Sequence, residues 1–103
     1  MLSLIAALTL GVAPPVEGAP PPPPRRIVKI IERANGASAE TAFKVRNVGE
    51  EYQVIQALGL EMRSQALRFV GRRFYDVLTV DDLQTGEERE LWFDISSFFG
   101  PGS

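Results

Sequence analysis

Two aspartates, Asp76 and Asp94, stand near the ends of FYDVLTVDDLQTGEERELWFDISSFF, residues Phe74–Phe99. A pair of carboxyl groups is the minimum apparatus of a glycosidase, one as acid and one as base or nucleophile. Between them Asp81, Asp82, Glu87 and Glu88 offer oxygen ligands of the kind Ca²⁺ takes. Their spacing matches no EF-hand loop, and turns are commonly acidic, so no metal site is expected. Arg63, Arg68, Arg72 and Arg73 gather around Val70-Gly71. They suit an anionic ligand or a membrane surface, or they guard a strand edge against aggregation. The chain has no His and no Cys. That removes Ser-His-Asp and Cys-His nucleophiles, imidazole acid–base work, thiolate zinc sites and disulfides. Catalysis would have to rest on carboxylates, Tyr, Lys or Arg, and no cofactor is expected.

The elements that position these residues are legible. Phe74–Asp81 and Glu88–Ile95 alternate apolar and polar residues, as half-buried strands do. Asp82 can accept backbone N–H bonds from the connecting turn, and Gly86 can take φ > 0. A loop of Leu83–Gly86 sets Asp82 opposite Glu87, Leu78 opposite Leu91, Val77 opposite Trp92, Asp76 opposite Phe93 and Tyr75 opposite Asp94. One face then carries Phe74, Leu78, Val80, Leu91, Phe93 and Ile95, with Asp76 among them. The other carries Tyr75, Val77, Thr79, Glu88, Glu90, Trp92 and Asp94. Asp76 and Asp94 fall on opposite faces, which removes the catalytic pair. Tyr75, Val77 and Trp92 form an apolar patch that the helix or a partner would cover.

Glu61–Phe69 reads as the next strand. A Val70-Gly71 turn would set Leu67 opposite Phe74 and Gln65 opposite Asp76. The Gln65 amide, or Arg63, would then hold the Asp76 carboxylate and lower its pKa. Asn47–Leu60 is the clearest helix: Asn47 caps, Glu50 stands three residues on, and Gly59 ends it. Val48, Tyr52, Ile55 and Leu58 form its apolar stripe. Arg25–Arg33, RRIVKIIER, is rich in β-branched residues and reads as a strand. Asn35-Gly36 then turns as a left-handed pair. Residues 39–46 fit a short helical turn or an extended segment. Ser96–Phe99 reads as a turn that tucks its aromatics under the sheet.

At 103 residues with net charge −2, the chain has room for one domain and no basic field for nucleic acid. Leu2–Ala13 holds no charge and is too short to span a bilayer, so residues 1–18 read as a secretory signal cut before Ala19. Residues 19–25 form a proline-rich linker, stiff and of polyproline II type. Residues 26–100 form the domain and 101–103 a flexible end.

The strings EEYQVIQALG, QAL, YDVLTV, TGEERELWFDIS and FFG resemble those of small exported alphaproteobacterial proteins of unknown function. The resemblance covers about residues 25–100. It implies a signal peptide and a small α+β domain, and it implies no activity.

Together these readings give an α+β fold with one helix packed on a small antiparallel sheet of three to four strands, behind a disordered signal and linker. The candidate binding residues are Tyr75, Trp92, Asp76, Asp94, Arg72 and Arg73; none is assigned as catalytic or metal-ligating. The expected role is a non-catalytic domain, periplasmic or secreted, that binds a protein or envelope component. No nucleic-acid partner and no membrane span in the mature chain are expected. The alternative is a small carboxylate-dependent hydrolase of glycans.

Overall fold

The structure, a computed structural model, describes residues 21–100. The signal, its cleavage point before Ala19 and the end at 101–103 lie outside the described residues.

The first element corrects the sequence reading. Arg25–Arg33 is a helix, α1, and not a strand. Ile27, Ile30, Ile31 and Ala34 recur at helical spacing, and all four pack into the core. In nine residues a period of 2 and a period of 3.6 are both partly satisfied, and the surface waiting beneath decides between them. Pro24 fits the start, since a helix begins with carbonyls that must accept: its C=O takes the N–H of Ile27 and of Val28.

Asn35 does not take the left-handed conformation expected of it. It turns the chain with its side chain, Oδ1 accepting the Ala37 N–H at 2.9 Å, while Gly36 takes φ +70°. The ambiguous stretch that follows contains the two-residue strand β1, Phe43–Lys44. Then come helix α2, Val48–Ala57, and three strands: β2, Leu60–Val70; β3, Arg73–Asp82; and β4, Glu88–Asp94. They form one sheet of order β1-β4-β3-β2. The β2–β3 and β3–β4 pairs are antiparallel, and β1 runs parallel to β4. The fold is therefore α+β with two helices and a mixed four-stranded sheet.

The β3–β4 register is the one expected, from Tyr75 opposite Asp94 to Asp81 opposite Glu88. Asp82 fixes the turn: its Oδ1 accepts from Gln84 N–H and Thr85 N–H, at 2.8 and 3.1 Å. The β2–β3 register differs from expectation by two residues. The turn is Gly71-Arg72, not Val70-Gly71, with φ +56° and +68°. Two successive positive φ values match the right-handed twist of a hairpin. Leu67 therefore lies opposite Asp76 and Gln65 opposite Leu78. A slip of two keeps the side chains of Ser64–Val70 on their predicted face, and a bulge between Met62 and Ser64 then shifts the pairing by one, setting Met62 opposite Val80.

One face of the sheet is the core. Leu78, Val80, Leu91, Phe93 and Ile95 pack there against Ile27 and Ile30 of α1 and Val54 and Ile55 of α2. Phe43 and Phe93 lie with ring centroids 5.4 Å apart. The stripe expected on α2 holds at Ile55 and Leu58 and is corrected in its first half. Val48 and Tyr52 are 50 % and 46 % exposed, while Glu51, Val54 and Ile55 are buried. Asn47 does cap this helix, its Oδ1 accepting the Glu50 N–H at 2.9 Å. After β4, Phe98 packs against the core and Phe99 stays exposed, 5.3 Å from Phe74 between centroids.

Candidate functional site

The six residues singled out in the sequence fall in three places. Tyr75, Trp92, Asp94 and Arg73 gather on the second face of the sheet. The rings of Tyr75 and Trp92 meet edge to face at 5.5 Å. Tyr75 is buried and Trp92 half-buried, because Ala39 and Ala42 pack over this face. The segment after α1, and not a helix, thus packs over Tyr75 and Val77 and against Trp92. The Gly36 carbonyl accepts the Trp92 N–H at 2.7 Å and ties that segment to β4.

Asp94 is held on both oxygens. Arg73 Nε donates to Oδ2 at 2.7 Å, and the Ser96 N–H donates to Oδ1 at 3.0 Å. Burial pushes this carboxyl up, but Arg73 and Ser96 outweigh it and hold the group below the usual range. One bond to each oxygen pins the exit of β4. Arg72 sits apart, exposed in the β2–β3 turn.

Asp76 lies on the core face, away from Asp94. The donor expected for it is corrected: Gln65 faces Leu78, and Arg63 pairs with Asp81 at 2.8 Å. Its polar neighbour is Glu51 of α2, whose carboxyl meets that of Asp76 closely enough to share a proton. Glu51 is 3 % exposed and its Oε2 has no hydrogen-bond partner. Burial first, then the contact and charge of Asp76, push the Glu51 pKa up to about 8. An ionised carboxylate here would be desolvated beside another acid, whereas a protonated one can donate to Asp76.

Glu50, the next residue, has the opposite environment. Arg26 Nε donates to it at 2.6 Å, Arg46 Nε at 3.1 Å and the Arg46 backbone N–H at 2.8 Å. Burial raises its pKa, and these donors bring it to a net lowering. The node fastens α1 to the start of α2. It replaces the capping box the sequence suggests: Glu50 reaches past Asn47 to the N–H of Arg46.

Two concave surfaces and one edge complete the inventory. A cleft of about 990 Å³ lies between α1 and residues 40–44. A second, of about 600 Å³, runs between Pro21–Pro24, the end of α2 and Leu83. Neither includes Asp76, Asp94 or Glu51. The edge is β2. It pairs with β3 alone, and every residue from Arg63 to Val70 is exposed. Leu67, Phe69 and Val70 are 53 %, 62 % and 42 % exposed. Phe69 meets Phe74 at a tilt, with centroids 4.7 Å apart, and Phe74 meets Phe99 edge to face.

The sequence reading missed Glu51, the α1 cleft and the apolar edge. A helical wheel drawn through Glu51, Val54, Ile55 and Leu58 would have flagged a buried acid. The cleft is invisible to any reading of Arg25–Arg33 as a strand, because its cations line up only at helical spacing. Among the described residues no helix is long and apolar enough to cross a membrane. Among them, too, no three His, Cys, Asp or Glu side chains gather to hold a metal ion.

The chain belongs to the family described as Domain of unknown function (DUF4919), whose model matches residues 24–100. That span runs from Pro24, which opens α1, to the turn after Phe99. Comparison with curated proteins and comparison with solved structures each find no match.

Proposed function

We propose that this member of the family is a non-catalytic, exported binding domain that takes an extended segment of an envelope or secreted protein along the free edge of β2. One observation carries the reading: an eleven-residue strand at the sheet edge whose last eight residues are all exposed. Such an edge offers a row of backbone donors and acceptors and is a template for a further strand. Proteins usually blunt an edge of this length with charges or a covering loop. Here Leu67 and Phe69 stand uncovered on one face, continued by Phe74 and Phe99. Arg68 stands on the other face with no ion pair among the described residues. The fitting segment therefore carries apolar residues two apart on one face and an acid facing Arg68.

The non-catalytic part rests on residue types and separations. His and Cys are absent from the sequence. Asp94 is engaged by Arg73 and Ser96. Glu51 and Asp76 lie in contact, where glycosidase carboxyls stand about 5–9.5 Å apart around a substrate. Export rests on the uncharged run Leu2–Ala13.

The test is a panel of extended peptides of alternating apolar and acidic pattern, titrated calorimetrically and followed by amide hydrogen exchange. Binding should protect amides within residues 63–70, and Leu67→Asp with Phe69→Asp should weaken it at least tenfold. A complex that leaves those amides unprotected, or no binding anywhere in the panel, would sink the reading.

A further inference from the structure

The cleft beside α1 is a candidate ligand site of a different kind. Arg25, Lys29 and Arg33 line it at spacings of four residues, so they stack along one ridge of the helix. At 1.5 Å rise per residue, each step along the ridge is ~6 Å. Lys44 of β1 lines the cleft from the opposite side, and Asn35 lies at the end of the helix. Arg26 also borders it, but Glu50 already holds that guanidinium. Arg25, Lys29, Arg33 and Lys44 form no ion pair among the described residues, and all four are exposed. With Arg26 neutralised by Glu50, four cations against two acids, Glu32 and Glu40, leave the cleft a net charge of +2 in a chain whose total is −2. Like charges on helix positions ~6 Å apart along the axis repel one another, and a low-dielectric wall focuses their field on the cleft. A ligand that bridges them relieves that repulsion.

We propose that this cleft binds a phosphate-bearing ligand with two or more linked or neighbouring phosphate groups. The guanidinium forks of Arg25 and Arg33 match phosphate oxygens in a bidentate manner, with Lys29 between them as a point charge. One phosphate would meet one step of the ridge; a chain of them meets the whole ridge with Lys44 across the cleft. The Asn35 amide supplies a neutral donor: its Oδ1 is taken by the Ala37 N–H, and its NH₂ has no partner among the described residues. The site shares no residue with the β2 edge, so either assignment can fail without the other.

The experiment uses the full chain at about 10 mM salt, where the Debye length is ~30 Å. Inorganic tripolyphosphate is titrated calorimetrically, and vesicles of phosphatidylglycerol are compared with vesicles of phosphatidylcholine by co-sedimentation. Tripolyphosphate should bind with a dissociation constant below about 1 mM, or the anionic vesicles should carry the protein down and the neutral ones not. The first result marks a soluble ligand and the second a lipid headgroup. In either case Lys29→Glu with Arg33→Glu should weaken binding about tenfold or more, since two exposed contacts are removed and reversed. Lys44→Gln, on the opposite wall, should weaken it severalfold even if the helix variant folds poorly. Arg89→Glu changes the net charge outside the cleft and should leave binding within a factor of about two. Failure of both probes overturns the proposal. So does binding that survives the α1 and β1 substitutions, or binding that Arg89→Glu weakens as much as they do.

Discussion

Glu51 makes a prediction about pH that runs against the common acid-limb expectation. Its folded pKa is raised to about 8 from an ordinary 4.5, by burial first and by Asp76 second. Between those values the folded state holds one proton that the unfolded state has released. Stability from this group is therefore complete below about pH 4.5 and lost as pH rises through 8. One proton corresponds to at most about 1.4 kcal/mol per pH unit, so moving from pH 5 to pH 8 should cost on the order of 4 kcal/mol. Domains this small hold only about 5–10 kcal/mol in total, so the loss is a large fraction of the fold's stability. The assay is urea unfolding at half-unit steps from pH 5 to 8.5. With a urea slope of ~1 kcal/mol per molar, the midpoint should fall by several molar units across the series. Glu51→Gln keeps a donor for Asp76 without an ionisable proton. It should match the parent near pH 5, flatten the dependence, and exceed the parent at pH 8. A midpoint constant between pH 5 and 8 would refute the reasoning. So would an equal slope in the Glu51→Gln chain, which would assign the titration to another group.

Phe93 is fully buried against Phe43. Phe93→Ala should cost about 3–5 kcal/mol by chemical denaturation, and a loss under about 1 kcal/mol would contradict the core assignment. On export, the intact mass from an envelope fraction should correspond to a chain beginning near Ala19; a full-length mass from the cytosol would count against export.

The register of the β3–β4 hairpin is legible to the residue, with the strand ends off by one, and the reasons are local. Asp82 supplies the acceptor the turn requires, four residues close it, and alternation assigns each side chain its face. The Asn47 cap on α2 is readable for the same reason, since it needs only a side-chain oxygen and an N–H three residues on. The missing His and Cys exclude whole reaction classes before any fold is known.

What stayed hidden is set by partners distant in sequence. The segment RRIVKIIER satisfies two periodicities, and it is a helix because the core face of the sheet buries the Ile27–Ile30 stripe. The Gly71-Arg72 turn, one residue on from the expected position, moved Asp76 from Gln65 to Leu67. Its polar neighbour then came from α2, twenty-five residues earlier, as the Glu51 carboxyl. Whether an apolar residue ends up covered also depends on what packs above it. Tyr75 is buried by the segment holding Ala39 and Ala42, while Leu67 and Phe69, on equally apolar positions, lie on the outer part of a strand that joins the core only at Leu60 and Met62. The sequence determined the alternation, the turns and the excluded chemistry, because these act over a few bonds. Tertiary structure decided which acids meet, where the cations converge and which edge stays open, because burial and proximity belong to the assembled chain.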